Sequence, residues 1–398
     1  KNEESTMEQI KSYQKWLIFA AIFFVSLNLR PSVTSIGPLV NTIQEQLNVS
    51  STMMSLLTSI PVFCMGLFAP LAVPFQSKLG YRTSVNALMV LIGVATAARF
   101  MFGSFASLIL TSFLTGFAIA IISPIINAYI KETFKEKMAP VIGLYSFAIG
   151  AGATISSGFT GVFYESTNDW KFALGIWGFL AIFALVFWTF AVAKKQNDLH
   201  SEGIVKEEGR NPWKNKLAWI IMIYFGLQTA LFFSLTAWLS SMAMEQGMSL
   251  IVAGSVLTTM TIVQLIGNIT ISALIGKYPK LIAWLYGLIA FGGIGALILF
   301  IDANWSIWVG AIILGGALSG LFPIGLMLPL QEARNNHEAN EWSSMVLSGG
   351  FMMSAILPLV IGFVYDGTGS HFTTKIIFVV LFVLMYISIV FLQRAKRV

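Results

Sequence analysis

The sequence is short of charged residues. Only 11% of its 398 residues are Asp, Glu, Lys or Arg, and 56% are hydrophobic. Soluble domains carry about 25% charged residues. So little polar surface cannot coat a water-soluble body of this length. The composition therefore excludes a soluble globular protein and indicates that much of the chain is surrounded by lipid.

Cysteine and histidine are also scarce. The one cysteine, Cys64, lies in an apolar run and cannot form an intrachain disulfide, so we interpret it as a small buried hydrophobe. His200, His337 and His371 all fall in predicted loops. The sequence contains no metal-ligand cluster, no P-loop and no nucleophile–base pair. We therefore expect no metal ion, no cofactor and no enzymatic activity.

The excess of positive charge does not indicate nucleic acid. The formal net charge is +6, but the basic residues lie in short segments between apolar runs and form no patch interleaved with aromatic residues. The polar start of the sequence is not followed by a short apolar segment with a small-residue cleavage site. We therefore expect neither a nucleic-acid partner nor a cleavable signal peptide.

Long apolar runs dominate the sequence. A helix needs about 20 apolar residues to cross a bilayer. None of the long runs alternates polar and apolar residues as barrel strands do. The sequence therefore predicts an all-α membrane protein with twelve transmembrane helices. The runs cover residues 16–39, 52–75, 83–103, 106–130, 138–163, 170–193, 217–240, 249–275, 281–301, 305–329, 342–365 and 374–393.

The Lys and Arg residues predict the orientation. With the N-terminus placed in the cytoplasm, 20 of the 24 fall in cytoplasmic segments, and only Lys171 and Lys375 fall in outer loops. This asymmetry follows the positive-inside rule and favours an even number of spans. We expect a multi-pass protein of the cytoplasmic membrane, monomeric in its lipid bilayer, with both termini cytoplasmic.

The sequence divides into two similar halves. The longest polar stretch, 194–216, follows the sixth run and is interpreted as a cytoplasmic linker between residues 1–193 and 217–398. At a shift of about 200 residues, GVFYEST at 161–167 corresponds to GFVYDGT at 362–368. Two pseudo-symmetric six-helix bundles are typical of secondary transporters, whose substrate site lies between the repeats near the bilayer midplane.

The segment VPFQSKLGYRT, between the second and third spans, carries a recognisable motif. Together with twelve spans in two halves of six, it resembles the major facilitator superfamily. Lys78, Gly80 and Arg82 match the family's loop motif, and the resemblance implies a gating role for them at the boundary between the halves. Ser77 stands where the family has an aspartate, so the usual charge latch is in doubt.

The fifth predicted span, GLYSFAIGAGATISSGFTG, is rich in glycine like the corresponding helix of that family. Glycine permits close helix approach. Gly150 and Gly152 are therefore interpreted either as gating residues or as packing residues alone. Three further segments, LNLRPSVTSIGPL, GLQTALFFSLTAWLSS and LPLVIGFVYDGTGS, resemble the cyanate permease and 2-nitroimidazole transporter branch. That branch implies small, polar and often anionic substrates.

Arg30 is a charge inside an apolar span. An arginine near mid-membrane costs from about 3 to over about 10 kcal/mol, and it cannot lose its proton. All 18 Asp and Glu residues fall in predicted termini or loops. Arg30 either bonds to carbonyls freed by Pro31 and to nearby hydroxyls, or is completed by a substrate anion or an electron-rich ligand. The planar guanidinium suits such a ligand, and we favour the second interpretation.

Polar residues of other spans complete the predicted site. Each has an alternative role in helix–helix hydrogen bonding, worth about 0.6 kcal/mol in a membrane. Gln264 and Asn268 are four residues apart and share a face, as do Arg30 and Thr34. The predicted substrate-binding residues are Arg30, Thr34, Asn127, Tyr145, Gln228, Gln264 and Asn268.

Two other residues are assigned to the periphery. Arg99 is predicted to snorkel to the surface from the outer end of the third span. Trp238, near the outer end of the seventh span, is predicted to anchor its helix at the membrane interface.

These patterns predict a secondary active or facilitative transporter that works by alternating access on a small-molecule substrate, an anion or a polar heterocycle. The lack of an embedded carboxylate or histidine favours uniport or exchange over an internal proton relay. A multidrug exporter is the alternative, although cation binding would require an internal carboxylate. A non-transporting sensor is a further alternative.

Overall fold

The structure, a computed structural model, describes residues 2–134, 138–193, 209–334 and 336–396. Within these ranges the chain forms helices and no strands. Short 3-10 segments occupy 69–71, 98–100, 176–179 and 212–214. The α-helices are α1 Asn2–Leu27, α2 Pro31–Thr34, α3 Ile36–Leu47, α4 Ser51–Leu67, α5 Ala72–Ala97, α6 Phe105–Thr133, α7 Met138–Thr167, α8 Trp170–Gly175, α9 Leu180–Ala191, α10 Lys216–Glu245, α11 Leu250–Lys277, α12 Leu281–Ile298, α13 Asn304–Glu332, α14 Asn336–Ser354, α15 Ile356–Thr368 and α16 Phe372–Ala395.

The described helices fit the predicted spans. Eleven stretches are long and apolar enough to cross a membrane, and a shorter apolar helix, Ser51–Leu67, lies in the second predicted span. The first span is longer than predicted and reaches Leu47 through α1, α2 and α3. The all-α membrane fold is confirmed. The predicted linker lies mostly at 194–208, outside the described residues.

Helix α5 contains the predicted turn between the second and third spans. Gly80 has φ 76° and ψ 170°, which interrupts the helical backbone. A positive φ is readily available only to glycine, and the Gly in the loop motif meets this requirement. The residues of α5 before Gly80 therefore continue the second span, and those after it form the third.

Two apolar cores divide the bundle. We call α1–α9 the N-terminal half and α10–α16 the C-terminal half. The end of the bundle at which α9 finishes and α10 begins is called the linker end. The other end of the bundle is called the opposite end. The larger core joins the C-terminal half to N-terminal residues near the opposite end, among them Ile43 and Met54. Of the described buried residues in the second core, only Phe233 and Ala355 come from the C-terminal half. The halves thus share a core at the opposite end and have separate cores toward the linker end.

Candidate functional site

The first span breaks at Arg30 and Pro31. Proline has no N–H, and within a helix its ring would collide with the carbonyl four residues earlier, here that of Leu27. Helix α1 accordingly ends at Leu27, and α2 restarts at Pro31. Arg30 has φ −122° and ψ −38° and caps α2. Its carbonyl accepts hydrogen bonds from the backbone N–H groups of Val33 and Thr34, both at 2.9 Å. The break therefore places Arg30 outside the regular helices.

Helix α7 packs against this break through a glycine. A Cβ on Gly152 would collide with the Leu27 carbonyl oxygen and lie 3.4 Å from Pro31 Cδ. The same junction is tied by the Thr34 hydroxyl, which donates to the Arg30 carbonyl (2.9 Å) and shares a 2.5 Å hydrogen bond with Ser156. In this structure Gly152 and the buried Thr34 both hold the broken backbone.

The Arg30 guanidinium lies among aromatic and thioether groups from both halves. Its Cζ is 5.4 Å from the ring centroid of Phe233 on α10, a cation–π contact. Its Nη1 is 3.9 Å from the sulfur of Met65 on α4. It also interacts electrostatically with Tyr145 on α7, whose hydroxyl bonds to Ser123. Two predicted site residues, Arg30 and Tyr145, thus lie near each other by the boundary between the halves.

The positive charge of Arg30 is uncompensated. Among the described residues, no carboxylate lies within 4.0 Å of its guanidinium. A guanidinium offers five donors, and a thioether is only a weak acceptor. The side chain remains partly exposed. The site therefore presents hydrogen-bond donors and a positive charge to any small molecule that enters it.

Within the described part of the chain, no hydrogen bond or ion pair joins Gln228 or Asn127 to Arg30. Gln228 is fully buried and donates to the neighbouring Thr229 at 2.6 Å. Its Oε1 has no hydrogen-bond partner in the described part of the chain. Gln228 lies five residues before Phe233 on α10, which places it about 140° round the helix. Asn127 is exposed on α6.

Hydroxyl groups link the two halves between α7 and α11. Thr154 donates to Thr261 at 3.0 Å, and Ser157 shares a 3.1 Å hydrogen bond with Thr258. Sequence reasoning missed these contacts. The signal was present as ATISSG in one half and VLTTMT in the other. Hydroxyls bonded across helices are typical membrane-bundle contacts.

Contacts between α7 and α11 continue to within one turn of the predicted pair Gln264 and Asn268. A Cβ on Gly150 would lie 2.6 Å from Leu265 Cδ1. Because α7 and α11 run antiparallel, with Thr154 opposite Thr261 and position 150 opposite position 265, Asn268 falls opposite position 147. The Phe147 side chain there is 40% exposed. Asn268 Oδ1 is buried and, within the described ranges, unpaired. The half-buried Gln264 precedes it. This pair therefore lies next to the contact between Gly150 and Leu265, with Asn268 on its linker-end side.

Polar contacts close the opposite end. The Asp366 carboxylate on α15 accepts from the backbone N–H groups of Ser51 (2.6 Å) and Thr52 (2.8 Å) and from the Thr52 hydroxyl (2.6 Å). Elsewhere at this end, the Ser241 hydroxyl donates to Asn41 Oδ1 at 2.9 Å. Both sets of bonds cross from one half to the other. We call these five residues the polar seal.

The interface role predicted for Trp238 is wrong. Trp238 is 1% exposed, and its indole N–H donates to the Pro358 carbonyl at 3.3 Å. It packs against Tyr365 and His371, with ring centroids 6.1 and 5.6 Å away. His371 follows α15 as expected for a loop residue, but it is also buried, because the Trp238 and Tyr365 rings cover it. Its Nε2 is 3.0 Å from the Ser241 hydroxyl.

The predicted snorkelling of Arg99 is also wrong. Arg99 is 1% exposed and belongs to the 3-10 segment 98–100 after α5. Its guanidinium donates to the Ser32 carbonyl and to the hydroxyls of Thr111 and Ser112. These acceptors attract it inward, away from the lipid.

The loop-motif residues lie at the linker end. Lys78 is exposed, Gly80 forms the turn, and Arg82 is half-buried. The Ser77 hydroxyl donates to the Pro74 carbonyl at 3.1 Å. Among the described residues, no ion pair joins Lys78 or Arg82 to the C-terminal half. The structure thus shows the predicted turn without a charge latch.

These features define a class: a multi-pass helical membrane protein whose two halves pack together at one end and carry a charged side chain, Arg30, at their boundary. Residues 18–353 match the Major Facilitator Superfamily, and the chain belongs to this family.

Relatives cover almost the whole chain. The uncharacterized transporter YycB of Bacillus subtilis (strain 168) is 28% identical over 90% of this chain and 89% of its own. The cyanate transport protein CynX of Escherichia coli (strain K12) is 27% identical over 88% of this chain and 90% of its own. The 2-nitroimidazole transporter of the same organism is 24% identical over 89% of each chain. The resemblance to that branch is confirmed.

Solved structures agree with the fold. A bacterial homologue of the human lysosomal transporter Spinster, in an inward-facing and occupied conformation, has a TM-score of 0.75 to this chain. The match covers 97% of both chains at 15% sequence identity. At that identity the likeness shows the fold alone.

Proposed function

We propose that this protein moves a small polar solute, anionic or nitro-bearing, across the cytoplasmic membrane by alternating access. In this proposal Arg30 binds the electron-rich end of the solute. The observation that carries it is the partly exposed guanidinium at the boundary of the halves, whose described neighbours include no carboxylate within 4.0 Å. An unpaired charge in a membrane interior is unfavourable, and a bound ligand would supply the missing acceptor.

The surroundings of Arg30 favour flat or linear, weakly hydrated ligands. Phe233 and Met65 offer apolar, polarizable surfaces beside a planar fork of donors. A strongly hydrated ion such as sulfate would lose its water shell against these groups without enough compensating hydrogen bonds. Two relatives are named for cyanate and for 2-nitroimidazole. Cyanate is a linear anion, and a 2-nitroimidazole is a planar ring with a nitro group, so both fit this description.

The remaining predicted residues receive proposed roles around the same ligand. Tyr145 would contact it beside Arg30, because its hydroxyl lies in the neighbourhood of the guanidinium. Asn268 and Gln264 would reach it from the C-terminal half by donating their amide N–H groups. The Oδ1 of Asn268, which has no partner among the described residues, could accept from a ligand that carries an N–H, such as the imidazole ring. Gln228 and Asn127 would contribute after a change of conformation. Thr34 would act through the backbone of Arg30, to which it bonds.

The proposed cycle alternates between closure at the two ends. The linker end faces the cytoplasm in this proposal, since it carries most of the Lys and Arg residues. The polar seal and the shared core support an outer side that is closed here, with the separate cores leaving the cytoplasmic side free to open. Opening to the outside would break the polar seal, and the two halves would then close against each other at the linker end. Lys78, Gly80, Arg82, Gly150 and Gly152 are the proposed gating residues for this rocking motion, which fits uniport or exchange by a monomer.

Uptake by reconstituted vesicles tests the proposal. Proteoliposomes would be given isotope-labelled cyanate or 2-nitroimidazole, and initial rates would be measured over a range of concentrations. Arg30→Ala should abolish saturable uptake of both compounds. Arg30→Lys should retain part of it, because the charge remains while the planar fork is lost.

Two controls make the result decisive. Lys171→Gln removes a positive charge from the first turn of α8, at the opposite end, and should leave KM unchanged. Size-exclusion chromatography in detergent would verify folding and report the oligomeric state. Saturable uptake by Arg30→Ala at near-normal KM would overturn the role of Arg30. Export of cationic dyes by the unaltered protein, with no uptake of either small solute, would favour the drug exporter instead.

A further inference from the structure

We infer that Arg99 is a positioning residue that holds the broken first span so that Arg30 faces the substrate. The inference rests on the proposed function of Arg30 and extends it to a second arginine. Arg99 lies on another helix segment, and its contact with the first span lies at Ser32, two residues past Arg30. This hydrogen bond is separate from the contacts that Arg30 itself makes.

Arg99 connects three pieces of the N-terminal half. Its Nη1 donates to the Ser32 carbonyl at 2.9 Å, its Nε to the Thr111 hydroxyl at 3.2 Å, and its Nη2 to the Ser112 hydroxyl at 3.3 Å. Thr111 and Ser112 belong to α6, and Ser32 belongs to α2. One rigid, planar group thereby fixes the distance between α2 and α6.

The segment that Arg99 holds cannot fix its own position. Helix α2 has four residues, and one isolated helical turn is unfavourable without tertiary support. On the other side, α2 is tied to α7 by the bond between Thr34 and Ser156. The hydroxyls of Ser32 and Ser35 are buried and have no partner among the described residues, so they contribute nothing to this support. Among the described residues, two side-chain hydrogen bonds thus tie α2 to other helices, one made by Arg99 and one by Thr34.

The choice of an arginine is informative. All three recorded acceptors of Arg99 are uncharged, and in the described chain no carboxylate lies within 4.0 Å of it. Neutral donors could satisfy the same acceptors without the desolvation of a permanent charge. The planar guanidinium, however, donates to all three acceptors at once, on two different helices. Arg99 therefore acts on the site by holding the broken segment in place.

The test measures affinity together with stability. Dissociation constants for cyanate and 2-nitroimidazole would be determined by scintillation proximity on the purified protein, beside its Tm. Arg99→Gln should weaken binding about tenfold, the effect of losing one well-placed hydrogen bond to a charged group. Arg99→Lys should weaken it less and covers the case in which Arg99→Gln fails to fold. In an Arg30→Lys background, Arg99→Gln should add little, because its effect passes through Arg30.

The matched control removes the other two acceptors. The double variant Thr111→Val with Ser112→Ala keeps the bond to the Ser32 carbonyl but loses the bonds to α6, so it should lower Tm and weaken binding less than Arg99→Gln does. An equal loss of affinity in this control, or a full additive effect in the Arg30→Lys background, would show that Arg99 only stabilises the fold. Weakened binding by Arg30→Ala with normal binding by Arg99→Gln would overturn this inference alone. Normal binding by Arg30→Ala would instead overturn the proposed function.

Discussion

The Asp366 carboxylate accepts a hydrogen bond from the backbone N–H of Ser51 at 2.6 Å, across the boundary between the two halves. Ser51 is the first residue of α4, and the positive end of a helix dipole stabilises a carboxylate there. The adjacent Thr52 adds its own N–H and its hydroxyl. One side chain of the C-terminal half therefore caps a helix of the N-terminal half.

The repeated heptapeptides explain why this contact can form. A Cβ on Gly362 of GFVYDGT would lie 2.8 Å from Ser55 Oγ, so only a glycine lets α15 approach α4 this closely. Gly161 of GVFYEST occupies the corresponding place against α11, where a Cβ would lie 3.6 Å from Leu250 Cδ2. The sequence repeat is thus a repeated contact between the halves at the opposite end.

Removing the charge of Asp366 should loosen the polar seal. Asp366→Asn loses a carboxylate at a helix N-terminus, which is worth about 1 kcal/mol and shifts a two-state equilibrium about fivefold toward opening. In a Cys64→Ala background, a cysteine introduced by Ser55→Cys should react about fivefold faster with a membrane-impermeant maleimide. Asp302→Asn, an exposed carboxylate outside the seal, is the control. An unchanged labelling rate would show that Asp366 does not hold the halves together.

Gly152→Ala should damage the protein at the helix break. The added Cβ would meet the backbone carbonyl oxygen of Leu27, which cannot move without shifting α1, so we expect a loss of about 1–3 kcal/mol and a marked fall in uptake. Gly143→Ala on the same helix is the matched control, since a Cβ there meets nothing within 4 Å. It should be neutral or slightly stabilising, because alanine favours helix. Equal Tm values for the two variants would contradict the packing role of Gly152.

His371 should make the protein less stable in acid. Burial, with a contribution from nearby Lys375, lowers the pKa of His371 to about 3, whereas an unfolded histidine has a pKa of about 6.5. Between these values the unfolded chain binds a proton that the folded chain does not, so stability falls as pH falls through this window. His371→Gln should flatten the decline of Tm between pH 7 and pH 4. The same slope in both proteins would show that His371 does not govern it.

Glu338 should stabilise the linker end at neutral pH. Burial raises the pKa of Glu338, but its bonds to the Arg210 side chain (2.7 Å) and backbone N–H (3.2 Å) outweigh this, and the net pKa is lowered. Its contribution is therefore present above the unfolded pKa and lost as pH falls through the folded one. Glu338→Gln should lower stability by about 2 kcal/mol at pH 7, with a smaller difference at acid pH. A Tm difference that does not change with pH would contradict an ionised partner for Arg210.

Part of the candidate site could be read from single residues. Arg30 stands out because it is a charge within an apolar run with no acid in the predicted spans, and Pro31 marks the break that exposes it. Gly80 could likewise be assigned to a turn from the loop motif. Each of these inferences depends on one position and its immediate neighbours, so no knowledge of long-range contacts was needed.

Arg99 and Trp238 show where such reading fails. Both lie near span ends, where snorkelling and interface anchoring are common. The sequence around such a residue is apolar whether its side chain lies at the membrane interface or is buried in the protein. The Ser32 carbonyl that binds Arg99 is 67 residues away, and the Pro358 carbonyl that binds Trp238 is 120 residues away. Neither partner could be chosen from hydrophobicity.

The sequence by itself determined that this chain is a helical membrane protein of two repeated halves with a lone arginine in its first span. It could do so because a bilayer requires long apolar helices and makes every embedded charge conspicuous. Only the tertiary structure decided which polar side chains meet, such as Asp366 with Ser51 and Arg99 with Ser32. In lipid, the buried face and the lipid-facing side of a helix have the same apolar composition, so the pairing depends on how the helices pack.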